Sequence, residues 1–238
     1  MVSSVVSSPV GDRNQELRTA ARETSGWRHR SATGALLRSC VLPELARACR
    51  DTRRSVSLRV ELLDPASELA CREYREWTGS DSVSDARRLL EIEVYATILA
   101  VCIERKRNRR LHPRIRFSAY FTARQLDLSD DRLILTEAGY AEQAAMMLST
   151  REQLYRSYER EFEDGWDQAK PSDLKLQAVD WSPLYDGEFI PRYNILNLYR
   201  ELDLPTPEFT DGDLYAIVER LNGDGTYGDD PSGGVDSV

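Results

Sequence analysis

HPRIRFSAYFTARQLDLSDDRLILT, residues 112–136, is the stretch whose reading decides the fold. It divides into β-rich runs at about 114–121, 123–128 and 132–136, and the last two flank a tight polar turn. Two strands around such a turn form a hairpin, so part of the chain is an antiparallel sheet.

Upstream, SVSLRVELLDP (residues 55–65) alternates cleanly, with Val56, Leu58, Val60 and Leu62 on one side. That pattern predicts a half-buried strand, with Asp64 as N-cap and Pro65 opening a helix that runs to about Trp77. Ser84 is predicted to cap the next helix, residues 85–108, whose second half is apolar almost all round; it is the expected central buried helix. Within WRHRSATG (residues 27–34), Arg28–Gly34 reads as a polar loop. It leads into the helical pattern of Leu36, Leu37, Cys40, Val41 and Leu45, where Pro43 ends one helix and begins the next.

Downstream, STRE (residues 149–152) has the form of a capping box. It starts a helix that places Leu154, Tyr155, Tyr158, Phe162, Trp166 and Ala169 on one face and ends at Pro171. Residues 189–205 and 210–221 predict two short amphipathic helices, with Tyr185, Tyr193 and Tyr199 expected to dock them onto the main domain or, as the alternative, to form a partner surface. Helices and strands in this order predict an α/β domain with a helical extension over 171–221. A flexible segment with one short helix (12–24) is expected before it, with residues 1–12 disordered, and a disordered acidic tail over 222–238 after it.

A chain of 238 residues with 41% hydrophobic and 30% charged residues is that of a soluble globular protein. Its net charge of −8 argues against nucleic acid as a partner, and four of the acids (Asp224, Asp229, Asp230, Asp236) lie in the tail. The basic run Arg105 to Arg110 follows the buried helix and is read as a solvated, dipole-compensating helix end. Cys40, Cys49, Cys71 and Cys102 lack metal-ligand spacing, and His29 and His112 are the only histidines, so no metal site or cofactor is expected. No apolar run is long enough to span a bilayer and no signal peptide is evident, so a cytoplasmic location is expected.

Four segments together carry a resemblance: ATGALLRSCVLPELA (32–46), LRVELLDPASELACREY (58–74), RQLDLSDDRLILT (124–136) and YRSYEREFEDGW (155–166). In this order they resemble one half of a phospholipase D-like domain, closest to the catalytically degenerate bacterial members found beside regulatory or defence modules. The resemblance covers about residues 25–170 and implies an α/β domain there, a phospholipase D-like sandwich with a mixed sheet flanked by helices. Active members carry H-x-K-x(4)-D, in which the histidine attacks phosphorus and the lysine neutralises the phosphoryl oxygens. Setting Asp131 on the motif aspartate puts Arg124 at the histidine and Leu126 at the lysine. An arginine that stays protonated is no nucleophile, and a leucine holds no oxyanion, so no catalytic residue is expected.

Arginine does suit a phosphate, through its planar fork of donors. Arg124 is therefore the first candidate ligand-binding residue. The segment Arg30, His29, Ser31, Thr33 and Gly34, placed before a helix N-terminus, is the second. Asp127 and Ser129 are the hairpin groups expected nearest the same mouth. The expected function is a non-catalytic sensor or scaffold in a bacterial regulatory or defence system, binding a phosphate-bearing small molecule or nucleotide. A protein partner or a homodimer is expected with it, since active members build one site from two halves. The competing classes are a phosphodiesterase or nuclease using His112 or His29, and a pure protein-interaction module.

Overall fold

The computed structural model describes residues 6–8, 10–137, 145–171, 192–201, 204 and 208–222. The chain opens with β1 (Val6–Ser8), α1 (Val10–Glu23) and β2 (Gly26–Arg30), then a π-helical turn at Leu37–Val41 that runs into α2 (Leu42–Asp51). Next come β3 (Val56–Leu63), α3 (Glu68–Thr78), α4 (Val83–Arg107) and β4 (Leu111–Ser118). The meander β5 (Arg124–Leu128), β6 (Arg132–Glu137) and β7 (Ala145–Ser149) follows, then α5 (Gln153–Gln168) and β8 (Lys170–Pro171). Helices α6 (Arg192–Glu201) and α7 (Asp211–Asn222) complete it.

All strands join one mixed sheet in the order β1-β7-β6-β5-β2-β3-β4-β8. Strands β2, β3 and β4 run parallel, whereas β5, β6 and β7 form an antiparallel meander attached to β2. Two successive crossovers in the same direction, through α2 and then through α3 and α4, place their helices on one face of the sheet. That face carries the larger core, with Trp27, Leu58, Val60, Leu62, Leu90 and Ile98 buried within it. Helix α4 packs there with most positions from Val94 to Cys102 buried, as its all-round apolar pattern predicts. Among the described residues, the other face is covered by α5, through Tyr155, Phe162 and Trp166 against Leu126, Leu128, Leu133, Leu135 and Leu148.

Several local expectations are corrected. Residues 26–30 are the central strand β2 rather than loop, because Trp27 and His29 point into the core while Arg28 and Arg30 meet α5. The segment before residue 25 holds β1 and α1, and Leu17, Ala20 and Ala21 of α1 share the main core. The α4 cap is Ser82, which accepts from Asp85 N–H, not Ser84. The α3 cap is Ser67, because Asp64 is spent on a turn, accepting from Ala66 N–H. Of the capping box, the Glu152 carboxylate does accept from Ser149 N–H, but α5 starts only at Gln153 and Leu154 faces solvent.

The hairpin strands keep their places within a few residues, and Pro43 lies in the first turn of α2. All four cysteines are free and buried. Tyr199 is fully buried and donates to Tyr95 O, so α6 shares the main core, and α7 joins it through Leu214 and Ile217. Tyr185, residues 1–5 and the acidic tail from 223 onward lie outside the described residues, as does the side chain of Tyr193.

Candidate functional site

Strand pairing creates the first polar cluster. In the antiparallel register of β2 and β5, His29 lies directly opposite Asp127, so both side chains point into the same buried layer. His29 Nδ1 is 2.7 Å from Asp127 Oδ1, and its Nε2 is 2.8 Å from Ser31 Oγ. Trp27 Nε1–H donates to Asp127 Oδ1 at 3.0 Å and Gln125 Nε2 donates to Oδ2 at 2.6 Å. Ser31 Oγ in turn accepts from Gly34 N–H at 2.8 Å. The partners assign the tautomer: Nδ1–H donates to the Asp127 carboxylate and Nε2 accepts from the Ser31 hydroxyl. His29 and Asp127 are 0% and 1% exposed, so each polar atom left unpaired there would cost about 1–3 kcal/mol.

This Asp–His–Ser line also secures the loop that follows β2. Gly34 adopts φ 78°, and a Cβ there would meet Thr97 Cγ2 at 2.6 Å, so only glycine fits. The neighbouring Thr33 carbonyl accepts from Thr97 Oγ1, which itself accepts from Arg38 Nη1.

The opposite side of the same strands is charged. Parallel pairing aligns Arg28, Arg59 and Arg114 in one cross-strand row, and Arg30, Glu61 and Arg116 in the next. Like charges placed side by side repel, and α5 compensates with acids. Arg28 Nη1 meets Glu159 at 2.7 Å, and Arg59 holds Glu163 through both guanidinium nitrogens. Hydrogen bonding to Arg59 keeps the Glu163 carboxyl below its usual range despite partial burial. Phe162 and Trp166 lie under the guanidinium planes: Arg30 and Arg59 are each 5.3 Å from the Phe162 centroid, and Arg116 is 4.8 Å from that of Trp166.

Where the parallel strands end, a cavity of about 310 Å³ opens between the C-terminal ends of β3 and β4 and the last turn of α5. Its polar lining includes Arg30, Glu61, Asp64, Ser118 and Gln168, and its apolar lining includes Phe117 and Phe121. Glu61 is 3% exposed, and among the described residues its Oε2 has no hydrogen-bond partner. Burial pushes its carboxyl above the usual range, against the opposing pull of Arg30. Arg30 Nε lies 3.1 Å from Glu61 Oε1, within ion-pair distance but not aligned for a hydrogen bond. The Arg30 guanidinium is otherwise spent on α5: Nη2 donates to Glu161 O and Phe162 O at 3.1 and 3.2 Å.

Of the residues predicted for the site, His29, Ser31, Gly34 and Asp127 meet in the buried line. Arg30 projects from the opposite face into the cavity wall. Thr33 is held by α4. Arg124 is exposed and pairs at 3.6 Å with Glu137, which stands opposite it across its own hairpin. By register it lies at the same end of the sheet as residues 31–34. Ser129 does not: its turn is at the other end, where Asp130 accepts from Ser25 N–H, and Ser129 Oγ donates to Asp131. His112 is exposed near the start of β4, at the far end from the cavity.

Sequence reasoning missed Glu61. Its signal was present, as an acidic residue between Val60 and Leu62 in the most regular apolar strand. Among the described residues, no group of three or more His, Cys, Asp or Glu is placed to hold a metal, and no helix is long and apolar enough to cross a membrane. The chain matches no family model and no curated protein.

Proposed function

We propose that the protein is a non-catalytic ligand-binding module of phospholipase D-like type, a sensor or scaffold in a bacterial regulatory or defence system, working with a protein partner or as a homodimer. One observation carries the ligand-binding part: an open cavity at the C-terminal ends of two parallel strands contains a buried carboxylate oxygen, Glu61 Oε2, without a hydrogen-bond partner among the described residues. Ligands of α/β sheets bind in crevices at that end. The non-catalytic part rests on the motif positions. Arg124 stands where a nucleophilic histidine is needed, and Leu126, where a lysine is needed, is buried beneath α5. His29 has both ring nitrogens engaged and no exposure to solvent. A phosphate-bearing ligand would rely on Arg124, the exposed guanidinium at this end of the sheet, since Arg30 is taken up by Glu61 and α5.

The Asp127–His29–Ser31 line supports a second reading, a hydrolase with Ser31 as nucleophile, His29 as base and Asp127 as the orienting carboxylate. Against it, Ser31 is outside the cavity lining and its hydroxyl already accepts from Gly34 N–H.

A thermal-shift screen of nucleotides, phosphosugars and amines, with ester and phosphodiester turnover measured in parallel, separates the two. A ligand at 100 times its Kd stabilises the fold by about 2.7 kcal/mol, a shift of a few degrees. Saturable shifts without turnover support the module. Turnover that disappears in both Ser31→Ala and His29→Ala supports the hydrolase.

A further inference from the structure

We infer that the group entering the cavity is a small organic cation, an ammonium or guanidinium on a short carbon body, received by Glu61. The inference rests on the ligand-binding reading above and names the ligand's chemistry. The cavity lining holds two carboxylates, Glu61 and Asp64, against one guanidinium, Arg30. Arg30 Nε makes no hydrogen bond among the described residues but faces Glu61 Oε1 at 3.1 Å, and two carbonyls of α5 take its Nη2. Among the described residues, the acceptor of the lining left without a partner is Glu61 Oε2, which is buried. An acceptor calls for a donor, and a positive donor also offsets the excess negative charge of the lining.

The remaining walls suit a short carbon body. Phe117 and Phe121 line the cavity. The second ring is fixed in place, 5.8 Å from Trp77, with Phe121 N–H donating to Glu73. A volume of about 310 Å³ is at the small end for ligand sites, which favours a molecule of agmatine or putrescine size over a nucleotide.

Calorimetric titration of the full chain with agmatine, putrescine, inorganic phosphate and AMP tests this. Agmatine should bind saturably. Its affinity should fall at least tenfold in Glu61→Gln, which keeps the side-chain shape but removes the charge. Should Glu61→Gln fail to fold, Ala119→Trp serves in its place: Ala119 is an exposed residue of the cavity lining, where an indole blocks entry without touching Glu61. The same tenfold loss is expected there. Agmatine binding unchanged in Ala119→Trp would overturn the inference, since the cation would then sit elsewhere. Phosphate or AMP binding without agmatine binding would also overturn it, while leaving a ligand-binding module intact. If none of the four binds, both the inference and the ligand-binding reading fall.

Discussion

Helix α5 covers two halves of one sheet that could hardly differ more. Over the antiparallel half it meets Leu126, Leu128, Leu133, Leu135 and Leu148. Over the parallel half it meets Arg28, Arg30, Arg59 and Arg116, with Glu61 among them. The helix answers each half with different residues from the same few turns. Tyr155 serves the leucines, Glu159 and Glu163 serve the arginines, and Phe162 and Trp166 serve both. The difference teaches how each half is specified. Apolar contacts tolerate small shifts, whereas paired charges over aromatic rings fix the rotation and height of the helix.

The largest expected effect is at Phe162, one of the two residues shared by the halves. Phe162→Ala should cost about 3–5 kcal/mol, since it empties a fully buried site and removes the surface under two guanidiniums. Urea unfolding would show this as a lower midpoint at unchanged slope. A loss below about 1 kcal/mol would mean that α5 does not hold the sheet as described. By contrast, Leu135→Met on the apolar half should cost less than about 1.5 kcal/mol.

Gly165→Ala tests the arginine half by sign. In an exposed helix the change would stabilise by up to about 1 kcal/mol. Here a Cβ would run into the Arg30 guanidinium, so a net loss of about 1–3 kcal/mol is expected. A gain in stability would show that Arg30 moves aside freely, leaving its guanidinium open to a ligand after all.

Glu163→Gln should cost less, roughly 0.5–1 kcal/mol, because the carboxylate is over a third exposed and solvent screens the pair. Its pH dependence has a definite sign. Hydrogen bonding to Arg59 lowers the folded value, so the contribution is complete above the unfolded glutamate value of about 4.3 and is lost as pH falls below it. Glu61 runs the other way: burial raises its folded value, so its protonated form favours the fold and stability declines as pH rises through that value. Both variants should therefore track wild type at low pH, where the carboxyls are protonated, and part from it as pH rises, Glu163→Gln shifting toward lower and Glu61→Gln toward higher relative stability. Departure in the same direction would contradict the two environments.

Legibility in the sequence followed which contacts were local. Strand β3 was readable because Val56, Leu58, Val60 and Leu62 repeat with the period of a strand, and α4 because its apolar run is long. Strand β2 was not readable, because GWRHR carries its inward alternation on Trp27 and His29, and a histidine counts as core only once Asp127 is seen opposite. Its outward arginines look like a polar loop until α5 supplies the acids. The caps fall a few residues from their expected places because several serines and aspartates near each helix start compete for the role. The site behaves likewise: His29, Asp127 and Ser31, expected to face a phosphate, are one another's partners, while Glu61, the acceptor left over, is hidden in a strand that reads as ordinary.

The smallest expected effect concerns Arg124, the first residue of β5. Its guanidinium is 56% exposed and its nearest acid, Glu137, is 53% exposed. Exposed pairs contribute little, so Arg124→Ala should move stability by no more than about 0.5 kcal/mol in a urea titration. That near-neutrality makes the variant a clean probe, because any loss of phosphate or nucleotide binding cannot then be blamed on the fold. If the variant abolishes an anion's thermal shift while leaving agmatine binding intact, the end of the sheet holds two separate recognition elements. One is an exposed arginine on β5, and the other is a buried acceptor between β3 and α5. If agmatine binding weakens along with it, Arg124 and the cavity act as one site, and the charged half of the sheet extends its influence across β2 into the meander.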